Sequence, residues 1–126
     1  MNEKIFTENA PAAVGPYSQA IKTGNMLFCS GMLPVDPKTG DLVESDVTVQ
    51  SKQIMKNIDA LLNAAGYCAD DVVKTTCFLS DIANFGKFNE VYGEYFTSKP
   101  ARSCVAVKDI PKGALVEVEV IAAKYS

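Results

Sequence analysis

Near the end of the chain Leu115, Glu117, Glu119 and Ile121 fall on one side of an alternating pattern. Val116, Val118, Val120 and Ala122 fall on the other. A period of two also runs through Val72 to Leu79, and through Arg102, Cys104 and Ala106 against Ser103, Val105 and Val107. Each stretch predicts a strand, the Arg102 strand with its Ser103 and Val105 face toward a core and Arg102 pointing away beside a thiol. Earlier, Ala20 to Lys22 and Met26 to Cys29 flank Thr23-Gly24-Asn25. Gly and Asn tolerate left-handed turn geometry, so this pair predicts a β-hairpin. Ile5-Phe6 starts a short strand before it, and Pro34 to Gly40 is a turn-rich loop after it.

Helical spacing takes over from Val47 to Ala65, where Ile54, Ile58, Leu61, Leu62 and Ala65 recur on one face. Asp46 is the expected N-cap and Gly66 the expected stop. From Asp81 to Pro100, Ile82, Phe85, Phe88, Tyr92, Tyr95 and Phe96 recur at the same period, with Gly86 and Gly93 weakening the helix. This aromatic stripe reads as core packing rather than a ligand box. The order is hairpin, helix, strand, helix and two strands. It predicts an α+β fold: a single mixed β-sheet with two helices packed on one face. The uncovered face mixes Leu115 and Ile121 with Glu117 and Glu119, and Cys104 and Ala106 with Arg102, a composition that suits an interface.

A chain of 126 residues without repeats or linkers is expected to be one domain, residues 1–126. With 12 basic against 15 acidic residues it carries a net charge of −3, which argues against a general nucleic-acid or anionic-membrane surface. No apolar run approaches the roughly 20 residues of a membrane span, and Met1-Asn2-Glu3-Lys4 opens no signal peptide, so a cytoplasmic location is expected. Cys29, Cys68, Cys77 and Cys104 form no CxxC pair and are expected as free thiols, with Cys29 and Cys77 in buried structural roles. The absence of histidine changes the picture most. It removes His-dependent nucleophilic schemes and the common His-based zinc sites. Proton chemistry then falls to Glu, Asp, Tyr, Cys, Lys or a bound water.

Arg102 offers a planar fork for a carboxylate, and a cleft lined by it and Glu117 would suit a small carboxylate substrate that needs a water delivered. An ordinary sheet with a polar solvent face gives the same pattern. Four ordered blocks carry a resemblance. They are Asn9-Ala10-Pro11-Ala12-Ala13-Val14-Gly15-Pro16-Tyr17-Ser18-Gln19-Ala20; Cys29-Ser30-Gly31 with Pro34 to Gly40; Phe85, Phe88-Asn89 and Tyr92; and Pro100-Ala101-Arg102-Ser103-Cys104-Val105 with Pro111 to Glu119. From end to end the chain resembles the RidA/YjgF family, small deaminases of reactive enamine and imine intermediates.

The resemblance implies a chorismate-mutase-like fold, a homotrimer with one site in each cleft between subunits, and no cofactor or metal. The implied substrates are short 2-imino acids such as 2-iminobutanoate and 2-iminopropanoate, hydrolysed to 2-keto acids and ammonia. By the same resemblance Arg102 binds the carboxylate and Glu117, not Glu119, positions the water. Tyr17 closes over the ligand, the Ser30-Gly31 backbone approaches it, Asn89 stands near, and Cys104 lines the site largely through its backbone. With no His as base and no covalent step needed, Cys104 is not expected to act as a nucleophile. Met32 follows Ser30-Gly31 where the family commonly has Gln, which places the pocket floor in question. A non-catalytic keto-acid-binding module is the main alternative. An RNA-acting translation inhibitor fits the acidic balance poorly.

Overall fold

The hairpin, strands and helices all form, and the computed structural model describes residues 2–125. The strands are β1 (Glu3–Ile5), β2 (Ala20–Thr23), β3 (Met26–Cys29), β4 (Val72–Leu79), β5 (Ala101–Ala106) and β6 (Val116–Ala123). Helix α1 (Val47–Ala64) links β3 to β4, and α2 (Phe85–Tyr95) links β4 to β5. One six-stranded sheet results, ordered β1-β2-β3-β6-β4-β5, antiparallel except for the parallel β4–β5 pair. The two crossovers travel the same way across the sheet, and right-handed connections then put both helices on one face. Leu27, Cys77, Val118 and Val120 from that face share one core with Ile58 and Leu61 of α1 and Phe88 of α2.

Local chemistry sets the helix ends. The Asp46 side chain accepts a hydrogen bond from the Val49 N–H at 3.0 Å. Gly66, at φ +84°, closes α1 with two bonds, Gly66 N–H to the Asn63 carbonyl and Tyr67 N–H to the Leu62 carbonyl. The second helical stretch begins as a short 3₁₀ turn over Ile82–Asn84, capped by Asp81, and neither Gly86 nor Gly93 interrupts α2. Along β6 the alternation holds as read: Val116, Val118, Val120 and Ala122 are buried against the helices, and Glu117, Glu119 and Ile121 take the open face.

Two expectations are corrected. The first concerns β5, whose faces are the reverse of the reading from its apolar pattern. It pairs with β4 in the register Thr75↔Arg102 and Cys77↔Cys104, and Thr75 and Cys77 are buried beneath the helices. Arg102 and Cys104 therefore lie on the helix side, and Val105, 46 % exposed, lies on the open side. As the edge strand, β5 has room for a long Arg whose stem and plane cover aromatic rings of α2. The second concerns Met32, which pairs with Val118 and is buried in the core rather than in a pocket floor.

The open face carries Phe28, Phe78, Val105 and Ile121 among polar residues, with Phe28 42 % exposed. No helix among the described residues is long and apolar enough to cross a membrane.

Candidate functional site

Arg102 is built into place by α2. Its guanidinium lies over the Tyr92 ring at 4.6 Å and the Phe85 ring at 5.4 Å, and its Nη1 donates to Asn89 Oδ1 at 2.6 Å. The four-residue spacing from Phe85 through Asn89 puts both on the same helix face, with Tyr92 one position short of the next turn. Tyr92 is itself anchored, its hydroxyl 2.8 Å from Thr75 Oγ1 in β4. One guanidinium edge is thus used by Asn89, and the rest of the fork faces a cavity of about 650 Å³ bordered by Lys99, Pro100 and Phe96. Sequence reading took the aromatic stripe as core alone. Phe88 and Phe96 are core, but Tyr92 and Phe85 also cradle Arg102.

Cys104 sits two residues on, half-buried beside Cys77. Burial pushes its thiol pKa up, against smaller opposing effects from the Arg102 charge and a hydrogen bond from Cys77. Cys77 is pushed up to about 12, chiefly by burial. Both groups stay thiols at neutral pH, the wrong state for a nucleophile.

Glu117 occupies a second cavity, of about 590 Å³, on the open side of the sheet. Tyr17, Ser30, Gly31, Lys112 and Glu119 line it too. The Met32–Val118 bridge, with Met32 N–H donating to the Val118 carbonyl at 2.7 Å, lays the Ser30-Gly31 backbone across β6. Gly31 is then a steric requirement: a Cβ there would overlap the Glu117 carboxylate and stand 2.9 Å from its Cδ. The close approach that Gly permits is thus to Glu117 as well as to any ligand. Burial raises the Glu117 pKa from its ordinary value, and the neighbouring Glu119 raises it further. A carboxylate so placed is a better proton acceptor for water than an exposed one.

The rest of this half is loop held by side chains. Ser30 Oγ donates to the Ser18 carbonyl at 2.6 Å and its backbone N–H donates to the Gln19 carbonyl at 3.0 Å, so both Ser30 protons are committed and the Gly31 backbone is what remains for a ligand. The Tyr17 hydroxyl accepts from the Val14 N–H at 3.3 Å, and its ring packs on Gly15, which sits at φ +140°. Sequence reading passed over Lys112, which sits at φ +62° in the turn before β6 and borders the Glu117 cavity. Pro111 and Gly113 on either side of it were the available signal.

The six expected site positions other than Glu117 do not form one group with it. Arg102, Asn89 and Cys104 gather on the helix side of the sheet. Tyr17, Ser30, Gly31 and Glu117 gather on the open side. Phe78 is the register partner of both Val105 and Glu117, which fixes Glu117 and Arg102 on opposite faces. A cleft lined by Arg102 and Glu117 of the same chain, as read from the sequence, is not present.

Comparison with known proteins identifies the family. The profile of the endoribonuclease L-PSP family matches residues 7–124. A RutC family protein of Pyrococcus horikoshii is 56 % identical over 125 residues, 98 % of this chain and 99 % of that one. The 2-iminobutanoate/2-iminopropanoate deaminase of Escherichia coli K12 is 46 % identical over 128 residues, again 98 % and 99 %. The crystal structure of Escherichia coli TdcF with bound serine superposes with a TM-score of 0.93 at 39 % identity, covering 98 % of this chain and 99 % of that one. With one family profile spanning nearly the whole chain and relatives this similar over their full length, the chain belongs to the endoribonuclease L-PSP family, that of RidA and YjgF.

Proposed function

We propose that this chain is a cofactor-free deaminase that hydrolyses 2-imino acids such as 2-iminobutanoate and 2-iminopropanoate to 2-keto acids and ammonium. The observation that carries it is the division of the site into a carboxylate-gripping half and a water-activating half. An iminium carbon is already electrophilic, so orientation and one placed water supply most of the rate. Arg102, its plane fixed by Tyr92 and Asn89, holds the substrate carboxylate. Glu117, with its raised pKa, takes a proton from water as oxygen adds to the C=N carbon. The C–N bond then breaks, and C=NH₂⁺ plus H₂O become C=O plus NH₄⁺. The Gly31 and Cys104 backbones fix the pose, and Tyr17 covers it.

Because the halves lie on opposite faces, the working cleft needs two copies, Arg102 from one and Glu117 from its neighbour. The exposed Phe28 and Val105 of the open face supply apolar surface for that contact, and we assign the assembly as a closed homotrimer. The TdcF structure supports a carboxylate ligand, since the serine bound there carries one. The family's description names an endoribonuclease. A net charge of −3 and two glutamates in the Glu117 cavity would repel a phosphodiester.

The test couples the protein to a threonine dehydratase and follows loss of the imine. Turnover is expected, and Arg102→Lys, which keeps the charge but loses the fork, should lower it by orders of magnitude. No acceleration over buffer by the wild type would end the deaminase reading in favour of a binding module.

A further inference from the structure

The Arg102 cavity carries more positive charge than a short monocarboxylate needs. Lys99 and Arg102 both line it, Tyr92 and Phe96 give it an aromatic side, and no aspartate or glutamate is among its lining residues. The Glu117 cavity, by contrast, sets one lysine against two glutamates. Set against the neighbour's Glu117, Glu119 and Lys112, these two cations still leave the assembled cleft with a net positive charge, which favours an anion with more than one charge.

The backbone at Lys99 is an independent sign. Among the described residues only Lys99 and Lys112 adopt positive φ without being glycine, and Lys99 does so at +56°. It also precedes Pro100, where sterics favour an extended conformation. Gly or Asn would adopt that geometry at lower cost. The turn is closed by Lys99 N–H donating to the Phe96 carbonyl at 3.1 Å, and it leaves the lysine at the cavity that Arg102 shares. Strain held at a charged residue beside a binding group is the pattern expected of a functional position. The open half-cleft on one chain, about 650 Å³, is bordered by both Lys99 and Arg102.

We propose that the cleft takes 2-imino dicarboxylates, the imines of aspartate-like and glutamate-like amino acids. Arg102 grips the carboxylate next to the imine and Lys99 meets the distal one. This rests on the deaminase reading and narrows its substrate class. The planar fork fixes the reacting end, and the flexible ammonium follows a distal carboxylate of variable reach. The chemistry is unchanged: water adds to the C=N carbon, the C–N bond breaks, and a 2-oxo dicarboxylate and ammonium leave with no change of oxidation state.

Flavin amino-acid oxidases generate both imines in situ, 2-iminosuccinate from aspartate and 2-iminobutanoate from 2-aminobutyrate, and semicarbazide traps what the protein leaves. The wild type should consume both. Lys99→Gln should lower the ratio of kcat/KM for the dicarboxylate over the monocarboxylate by about tenfold or more, the worth of one charge-assisted hydrogen bond. Lys99→Arg should keep the ratio. Lys99→Gly should show the same loss as Lys99→Gln while its Tm rises, which separates the ammonium from the backbone. An unchanged ratio in Lys99→Gln would overturn the inference. So would a wild type that hydrolyses 2-iminobutanoate and ignores 2-iminosuccinate, a result that leaves the deaminase reading standing. Turnover of neither imine would remove both.

Discussion

Arg102 and Glu117 stand on opposite faces of one sheet, with β4 between their strands. Each chain of the proposed ring would therefore give its Arg102 to one cleft and its Glu117 to another. Arg102→Lys and Glu117→Gln homo-oligomers should both be nearly inactive. When the two are unfolded together in equal amounts and refolded, about one quarter of clefts should draw an intact Arg from one chain and an intact Glu from the next. Recovery of about a quarter of wild-type activity is expected. No recovery would show that the halves do not meet between chains.

Gly31→Ala tests the packing of backbone on carboxylate. The added methyl meets only the far end of a flexible side chain, so the fold should survive with Tm within a few degrees. The Glu117 carboxylate must move, and a displacement on the order of 1 Å costs roughly 100-fold in rate. Wild-type kcat in Gly31→Ala would show that Glu117 does not act from this position.

The raised Glu117 pKa has consequences for both activity and stability. As a base Glu117 works ionised, so kcat/KM should rise with pH through its folded-state pKa, on a limb shifted upward from that of an unperturbed glutamate. Glu119→Gln removes the smaller of the two causes and should move that limb to lower pH. A folded pKa above the unfolded one contributes stability below the unfolded value and loses it as pH rises through the folded value. Glu117→Gln should therefore gain Tm over wild type by a few degrees at pH 7 and little at pH 4, while losing activity. A thermal melt series at the two pH values decides it.

Asn89 acts on Arg102 through the 2.6 Å bond. Asn89→Ala should raise KM by about tenfold with a smaller fall in kcat, because the guanidinium keeps its charge and its seat on Tyr92. Equal losses in both parameters would give Asn89 a part in the chemical step.

Cys104→Ala should retain most activity, and iodoacetamide should label Cys104 slowly at pH 7, since burial holds its thiol protonated. Rapid labelling with matching inactivation, or an adduct with substrate in the mass spectrum, would overturn this.

Much of the fold was legible because it rests on local signals. The Gly24-Asn25 turn, the Asp46 cap, the Gly66 stop and the alternation of β6 each express a rule satisfied within a few residues. The facing of β5 was not legible in that way. Its outward Ser103 and Val105 look no less apolar than its inward Arg102 and Cys104, and only the β4 register and the rings of α2 decide the matter. Met32 misled for a similar reason. Its neighbours Ser30 and Gly31 border the cavity, yet its bridge to Val118 turns the side chain to the core. The residues of the candidate site could be named from their motifs, but their division between two faces depends on strand order, which no short motif encodes.

Helix α1 reaches the Glu117 side of the sheet through two buried amides. Asn57 Nδ2 donates to the Val35 carbonyl at 2.9 Å, and Gln50 Oε1 accepts from the Leu115 N–H at 2.8 Å. Both loops that frame the cavity are thereby fastened to the middle of the core. The recess cannot loosen piecemeal, because freeing either loop strands a polar group inside α1's packing. Amide hydrogens at Met32 and Leu115 should then exchange only on the timescale of global unfolding, and slowly enough to serve as reporters of the whole fold. Such a cavity selects its ligand by rigid shape, and in the proposed ring it would meet a guanidinium that Tyr92 and Asn89 hold equally still.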